Sequence, residues 1–293
     1  MNLGILGKTS LLVALPNRLS LDAVTVGLAW NTVITNEFTG RLPAWHELLI
    51  IGTSIWIVYT IDRLLDGRTL SEDTPATDRH QFHSRHSSKL LMAWLTAVAV
   101  VAWCSAYHAT ETQLRWGIVT VGLAICYVVS AQLLNPIKTL FPKEVRAGAL
   151  FALGVSLVAW SDHRTTAWQP LLLITILCAA MFTINCLIVS ASESEIDVGQ
   201  GNDSLARRHP KLTERFILMI ALHTAVTIIA MTTAQIPMTI GLCILTSDAL
   251  LVSYVILEQR RSVRKLSPSA WMASLADAAI AVAPLTCIAL LQR

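Results

Sequence analysis

Charge is what this chain has least of. Asp, Glu, Lys and Arg make up 14% of its 293 residues, where a soluble domain carries about 25%. Long polar stretches are missing too, since apolar blocks recur from residue 20 to residue 290. The formal net charge is only +3, and no nucleic-acid partner is expected. The opening segment MNLGILGKTSLLVALPNRLS has a lysine but no small-residue cleavage site before the next apolar block, so a cleaved signal peptide is not expected. No CxxC pair or Cys/His metal spacing occurs among the six cysteines, which all fall inside apolar blocks. That argues against a disulfide framework and for small buried fillers. HExxH and the other familiar short metal motifs are absent as well.

What is present is apolar: 54% of residues, with a mean hydropathy of +0.58. Such a chain has lipid as its main solvent. A span needs about 20 mainly apolar residues. The sequence predicts nine, at 20–36, 44–62, 89–107, 115–134, 145–161, 169–192, 213–233, 237–257 and 269–290, in one polytopic all-α membrane domain covering 1–293. Basic residues test that count independently. With the N-terminus in the cytoplasm, Lys8, Arg18 and the cations after spans two, four, six and eight share that side. Of the 22 Lys and Arg, only Arg41, Arg115, Arg164 and Arg293 fall opposite, which is the positive-inside pattern. Trp45, Trp116, Trp160 and Trp168 sit at predicted outer ends and Trp271 near an inner end, as interfacial anchors do. An integral membrane protein is expected, in the inner or plasma membrane if the source is bacterial. The two longest loops, 63–88 and 193–212, lie on the cytoplasmic side and are expected to cap a site there.

The polar residues at those loops carry the chemistry. In YTIDRLLDGR, Asp62 and Asp66 are four apart, so a helix continuing through them puts both on one face, about 6 Å apart in rise. Span six ends in SESEIDVGQGNDS, where Glu193 and Asp197 repeat the spacing and Gly201 follows. Two like-charged pairs at the membrane surface repel unless compensated. Water and Arg63 or Arg68 supply one compensation. Mg²⁺ supplies another, as a hard cation usually bound through substrate phosphates and one or two carboxylates. Lys138, Lys143 and Arg146 precede span five, and Lys143 and Arg63 are singled out as cations for a diphosphate. Asn185, two turns before Glu193, is expected to line an interior cavity. Asn31 and Asp248 read as helix–helix hydrogen-bonding groups, while Asp277 is left between that role and the cavity. The run DRHQFHSRH, with His80, His83 and His86 at threes, is expected to be a solvated, lid-like segment.

On these residues the chain resembles the UbiA superfamily of intramembrane prenyltransferases. The family's first motif runs Asn-Asp-x-x-Asp-x-x-x-Asp; Asp62 and Asp66 match its last two acids, with Val58 and Tyr59 in the Asn and first Asp positions. Its second runs Asp-x-x-x-Asp-x-x-x-Gly before Thr-Leu-Ala; Glu193, Asp197 and Gly201 fit it, with Ser204-Leu205-Ala206 as the triplet. The stretch PKEVRAGALFALG is similar to the family's basic fifth-helix start, with Lys143 as the matching cation. The resemblance implies a nine-helix UbiA-like bundle and an Mg²⁺-dependent enzyme. It would ionise an isoprenyl diphosphate and pass the prenyl group to a lipophilic acceptor. It implies Asp62, Asp66, Glu193 and Asp197 as metal ligands, Lys143 as a catalytic cation and Gly201 beside the substrate; from their positions Arg63 is expected to assist as a second cation, and Tyr59, Asn185 and Asp277 to stand around the substrates. Terpene cyclisation uses the same ionising site. The opposing class is a non-catalytic isoprenoid-binding membrane protein or transporter, which would depend on mid-membrane groups such as Asp248.

Overall fold

The computed structural model describes residues 16, 19–67, 78–132, 142–162, 164, 167–192, 210–263 and 271–291. These form α1 (Leu21–Thr39), α2 (Trp45–Gly67), the short α3 (Asp78–Arg85), α4 (Ser87–His108) and α5 (Glu111–Gln132). There follow α6 (Lys143–Ser161), α7 (Trp168–Ser192), α8 (Phe216–Thr232), α9 (Met238–Val263) and α10 (Trp271–Leu291). Seven helices are long and apolar enough to cross a bilayer, namely α2, α4, α5, α6, α7, α9 and α10. The protein is therefore an all-α, multi-pass membrane protein. α1 and α8 lie outside that seven. α8 has 17 residues, about 26 Å of helix against a hydrocarbon core about 30 Å thick. α1 buries Trp30, Asn31 and Thr35 within the bundle.

Close approach of α6 to α7 makes the centre. Gly148 permits it: a Cβ there would lie 2.6 Å from the backbone N of Thr183 and 2.8 Å from its Cα. α7 also packs against α8, α9 and α10, and α1 fills the groove between α6 and α10. Two side chains seat α1. Asn31 Nδ2 donates to the carbonyl of Val155 on α6 at 3.0 Å. Trp30 Nε1 donates to the carbonyl of Ile280 on α10 at 2.8 Å. Pro284 lies inside α10, and its missing N–H is the one that would have bonded Ile280. The indole thus satisfies an acceptor that the proline orphans. Gly40, at φ 68°, ends α1 by donating its N–H to Asn36 O at 3.0 Å, a left-handed stop that glycine makes without steric penalty.

The outer helices are arranged differently. α4 packs on α2, and α5 packs on α6 and α2, but α4 and α5 do not pack along one another although only Ala109 and Thr110 join them. Their outward faces are apolar and exposed, as a lipid-facing surface requires (Leu95, Val100, Val119 and Leu123 among others). Short connections (40–44, 109–110, 162–167 and 233–237) gather at one end of the bundle, and the longer ones leave from the other. The His-rich segment is helical, and Ser84, Arg85 and His86 are exposed while His83 is not. It forms α3, packed on α2, with His83 only 1% exposed and the ring of His86 stacked on Phe82.

Candidate functional site

α2 stays helical through Asp62 and on to Gly67, the condition for an i,i+4 pair on one face. Asp62 is buried, at 8% exposure. Its Oδ2 lies 3.1 Å from Lys143 Nζ, at the first residue of α6. The two sequence-distant residues therefore meet at the long-connection end of the bundle. Asp62 Oδ1 has no hydrogen-bond partner among the described residues.

One cavity of about 980 Å³ adjoins this pair. Tyr59, Asp62, Arg63, Lys143, Asn185 and Asp277, every expected site residue whose side chain is described, line it. Asn185 Nδ2 donates to Asp277 Oδ1 at 2.9 Å, joining α7 to α10, while Asn185 Oδ1 is without a partner among the described residues. Asp277 thus belongs to the cavity and to a helix–helix link at once. Tyr59 stands edge-on to Phe151, centroids 6.2 Å apart, and Phe151 stands edge-on to Phe182 at 4.7 Å. The side chain of Asp66 and residues Glu193, Asp197 and Gly201 lie outside the described residues.

Other groups at the charged end carry signals that the motifs do not. Arg146, one turn into α6, lines the cavity. It donates through Nη1 to Ser130 Oγ, while its Nε and Nη2 have no partner among the described residues. Glu144, 8% exposed, accepts from Ser190 Oγ at 3.2 Å, and both line the cavity. The spacing Lys143, Arg146 (i,i+3) puts both cations on one helix face, which is the sequence signal for pairing them.

The far end of the cavity is closed by a second polar cluster. Glu47 and Gln113 line it there. Arg41 binds Glu47 through both terminal nitrogens, at 2.6 and 2.7 Å, and Asp162 through Nε at 3.0 Å. Gln113 Nε2 donates to Glu47 Oε1 at 2.6 Å, and the Ala44 N–H to Oε2 at 2.7 Å. The hydrogen bond to Glu47 raises the Arg41 pKa above its ordinary value, with Asp162 adding to it against the cost of burial. Arg41 therefore stays charged at every pH the fold meets. Between the two ends the α2 wall is Ile51, Ile55 and Val58, and the facing wall is the apolar side of α5 and α6. Ile118, Val121 and Ile125 of α5 both line the cavity and are exposed, so it also opens sideways toward lipid.

The donor set can be tested against the expected metal. Asp62 Oδ1 is an ionisable, buried, unpartnered oxygen, the hard ligand Mg²⁺ prefers. Among the described residues no three His, Cys, Asp or Glu converge to hold an ion. Asp62 therefore fits as one of the one or two protein carboxylates that Mg²⁺ takes alongside substrate phosphates. In chemical terms the site offers cations and an anion at one end and apolar walls beyond. No protein-family model, no curated protein and no solved structure matches this chain.

Proposed function

We propose that this protein is an Mg²⁺-dependent, UbiA-like prenyltransferase that ionises an isoprenyl diphosphate and transfers the prenyl group to a lipophilic acceptor. In this reading all nine long helices cross the membrane, the N-terminus and the charged end face the cytoplasm, and in a bacterium the membrane is the inner or plasma membrane. The observation that carries it is the cavity itself. Lys143, Arg146 and Asp62 stand at one end and an apolar wall runs away from them, the shape of an anionic head on an oily tail.

The head supplies the affinity. A tail moving from lipid to an apolar cavity exchanges like for like, whereas a diphosphate gains charge-assisted hydrogen bonds. Arg146 Nε and Nη2 form a fork suited to two phosphate oxygens. Lys143 moves its charge from Asp62 to the phosphate, which releases the Asp62 carboxylate. Asp62, with Asp66, Glu193 and Asp197, would hold Mg²⁺, which would neutralise the leaving diphosphate. Loss of the leaving group breaks the allylic C–O bond and leaves a cation that water would capture. The walls of Ile51, Ile55 and Phe151 keep water from it, and Tyr59 turns a ring toward the same space. Asp277, oriented by Asn185, is placed to accept the proton that the acceptor loses after C–C bond formation.

The Asp62–Lys143 pair favours a second reading, since it neutralises the charged end without metal: a carrier that binds an isoprenoid anion and does no chemistry. Purified protein given isoprenyl diphosphates, Mg²⁺ and a membrane-lipid extract as the source of acceptor separates the two. The enzyme releases diphosphate, and Asp62→Asn and Asp197→Asn each slow release by roughly a hundredfold, as loss of a transition-state charge contact does. Wild-type rates in both variants would remove these acids from the mechanism, and metal-independent binding without release would leave the carrier.

A further inference from the structure

The cavity has a floor as well as a head. Glu47, Ile51, Ile55, Val58 and Asp62 lie at successive three- or four-residue steps on α2, and all five line it. One helix face therefore measures the whole cavity, about 22 Å from Asp62 to Glu47. At Glu47 the space meets the hydrogen-bonded cluster of Arg41, Asp162 and Gln113. Pushing an apolar chain end into that cluster would break charge-assisted bonds and return nothing for them.

Two glycines keep the deep half of the cavity wide. Gly117 on α5 and Gly154 on α6 both line it, and a Cβ added at either would meet nothing within 4 Å. Gly154 stands about 16 Å along α6 from Lys143. Neither glycine is required by backbone geometry, because both sit in regular helix where another residue is favoured. What each provides is empty space.

We infer that the cavity is a length gauge, with Gly117 and Gly154 holding its deep end open and the Arg41–Glu47–Gln113 cluster closing it. The longest tail that fits along its axis is about four isoprene units. An extended chain advances about 1.2 Å per bond, so about 22 Å accommodates roughly 18 bonds. This assignment of a substrate length rests on the reading of the cavity as a prenyl-chain site. The rival path is sideways: the opening beside Ile118 and Ile125 would let a long tail run out into lipid and escape the gauge.

The test is a length series on the full chain in mild detergent with a membrane-lipid extract as the source of acceptor, using geranyl, farnesyl, geranylgeranyl and octaprenyl diphosphates. Each donor is scored for Mg²⁺-dependent diphosphate release and, separately, for thermal stabilisation, which needs no chemistry. The gauge predicts acceptance up to geranylgeranyl and roughly tenfold poorer use of octaprenyl, the penalty of overfilling a packed space. Gly154→Leu should move the limit inward, lowering geranylgeranyl roughly tenfold while leaving geranyl unchanged. Gly117→Leu, on the facing helix, should do the same. Octaprenyl equal to geranylgeranyl in the wild type would overturn the gauge in favour of the sideways path, as would leucine variants that weaken all donors alike. A length limit in stabilisation without release by any donor would keep the gauge and sink the enzyme; stabilisation by none of the four would sink both.

Discussion

Arg146 lines the cavity and keeps two nitrogens, Nε and Nη2, without a partner among the described residues beyond the Nη1 that Ser130 accepts from, and that fork is what a lysine lacks. Arg146→Lys keeps the charge and loses the paired geometry. It should weaken diphosphate binding roughly tenfold, with Arg146→Gln weaker still, measured as the KM of release or as binding of a non-reacting analogue. The glycines of α6 separate two effects of one atom. Gly148→Ala drives a Cβ into the backbone of Thr183, 2.6 Å away, and should destabilise by about 1–3 kcal/mol. Gly154→Ala meets nothing and should stabilise by up to about 1 kcal/mol through helix propensity. Thermal unfolding in detergent reads both. At this scale the sequence revealed the site best where a polar residue stood out against an oily background. Asp62, Asn185 and Asp277 line the cavity as such residues should. Glu47 carried the same signal, an acid at the start of an apolar run, but its partners Arg41 and Gln113, and Asp162 that Arg41 also binds, come from three other segments. Only the fold shows that they meet.

The helices are joined by polar contacts that replace one another. Trp30 satisfies the Ile280 carbonyl because Pro284 cannot. Trp30→Phe should cost about 1–3 kcal/mol, since it leaves that buried acceptor without a donor. In a Pro284→Ala background an alanine N–H reaches Ile280, and the cost should shrink. Equal costs in both backgrounds, by a double-mutant cycle, would show that the proline and the indole are not coupled. α8 and α9 are held by a deeper link. His223 Nδ1 faces the Asp248 carboxylate at 2.9 Å and Nε2 faces the Leu177 carbonyl at 3.1 Å, while Thr224 donates to Asp248. Asp248 is thus a helix-joining group, the role its position in an apolar run suggested. Helix identity and extent were legible because apolar runs of this length have one stable form in lipid. The partner of each polar group was not, because a side chain 250 positions away leaves no local trace.

For the whole molecule, the cavity exists because α4 and α5 separate after a two-residue connection, one to α2 and the other to α6. Periodicity says nothing of that, since both helices are apolar all round and either could have packed on the other. Aromatic residues mark the end opposite the charged pair: Trp45 and Trp168 are more than half exposed there, and Trp116 lies 5.9 Å from Trp160, as an interfacial band requires. The account then comes down to whether one end of this bundle holds an anionic head through metal and carboxylate together. Titration calorimetry with a non-hydrolysable farnesyl thiodiphosphate tests this most directly. The account predicts binding roughly tenfold or more tighter with Mg²⁺ than without, and loss of that difference in Asp62→Asn. The same affinity with and without Mg²⁺, in the wild type and the variant alike, would contradict it.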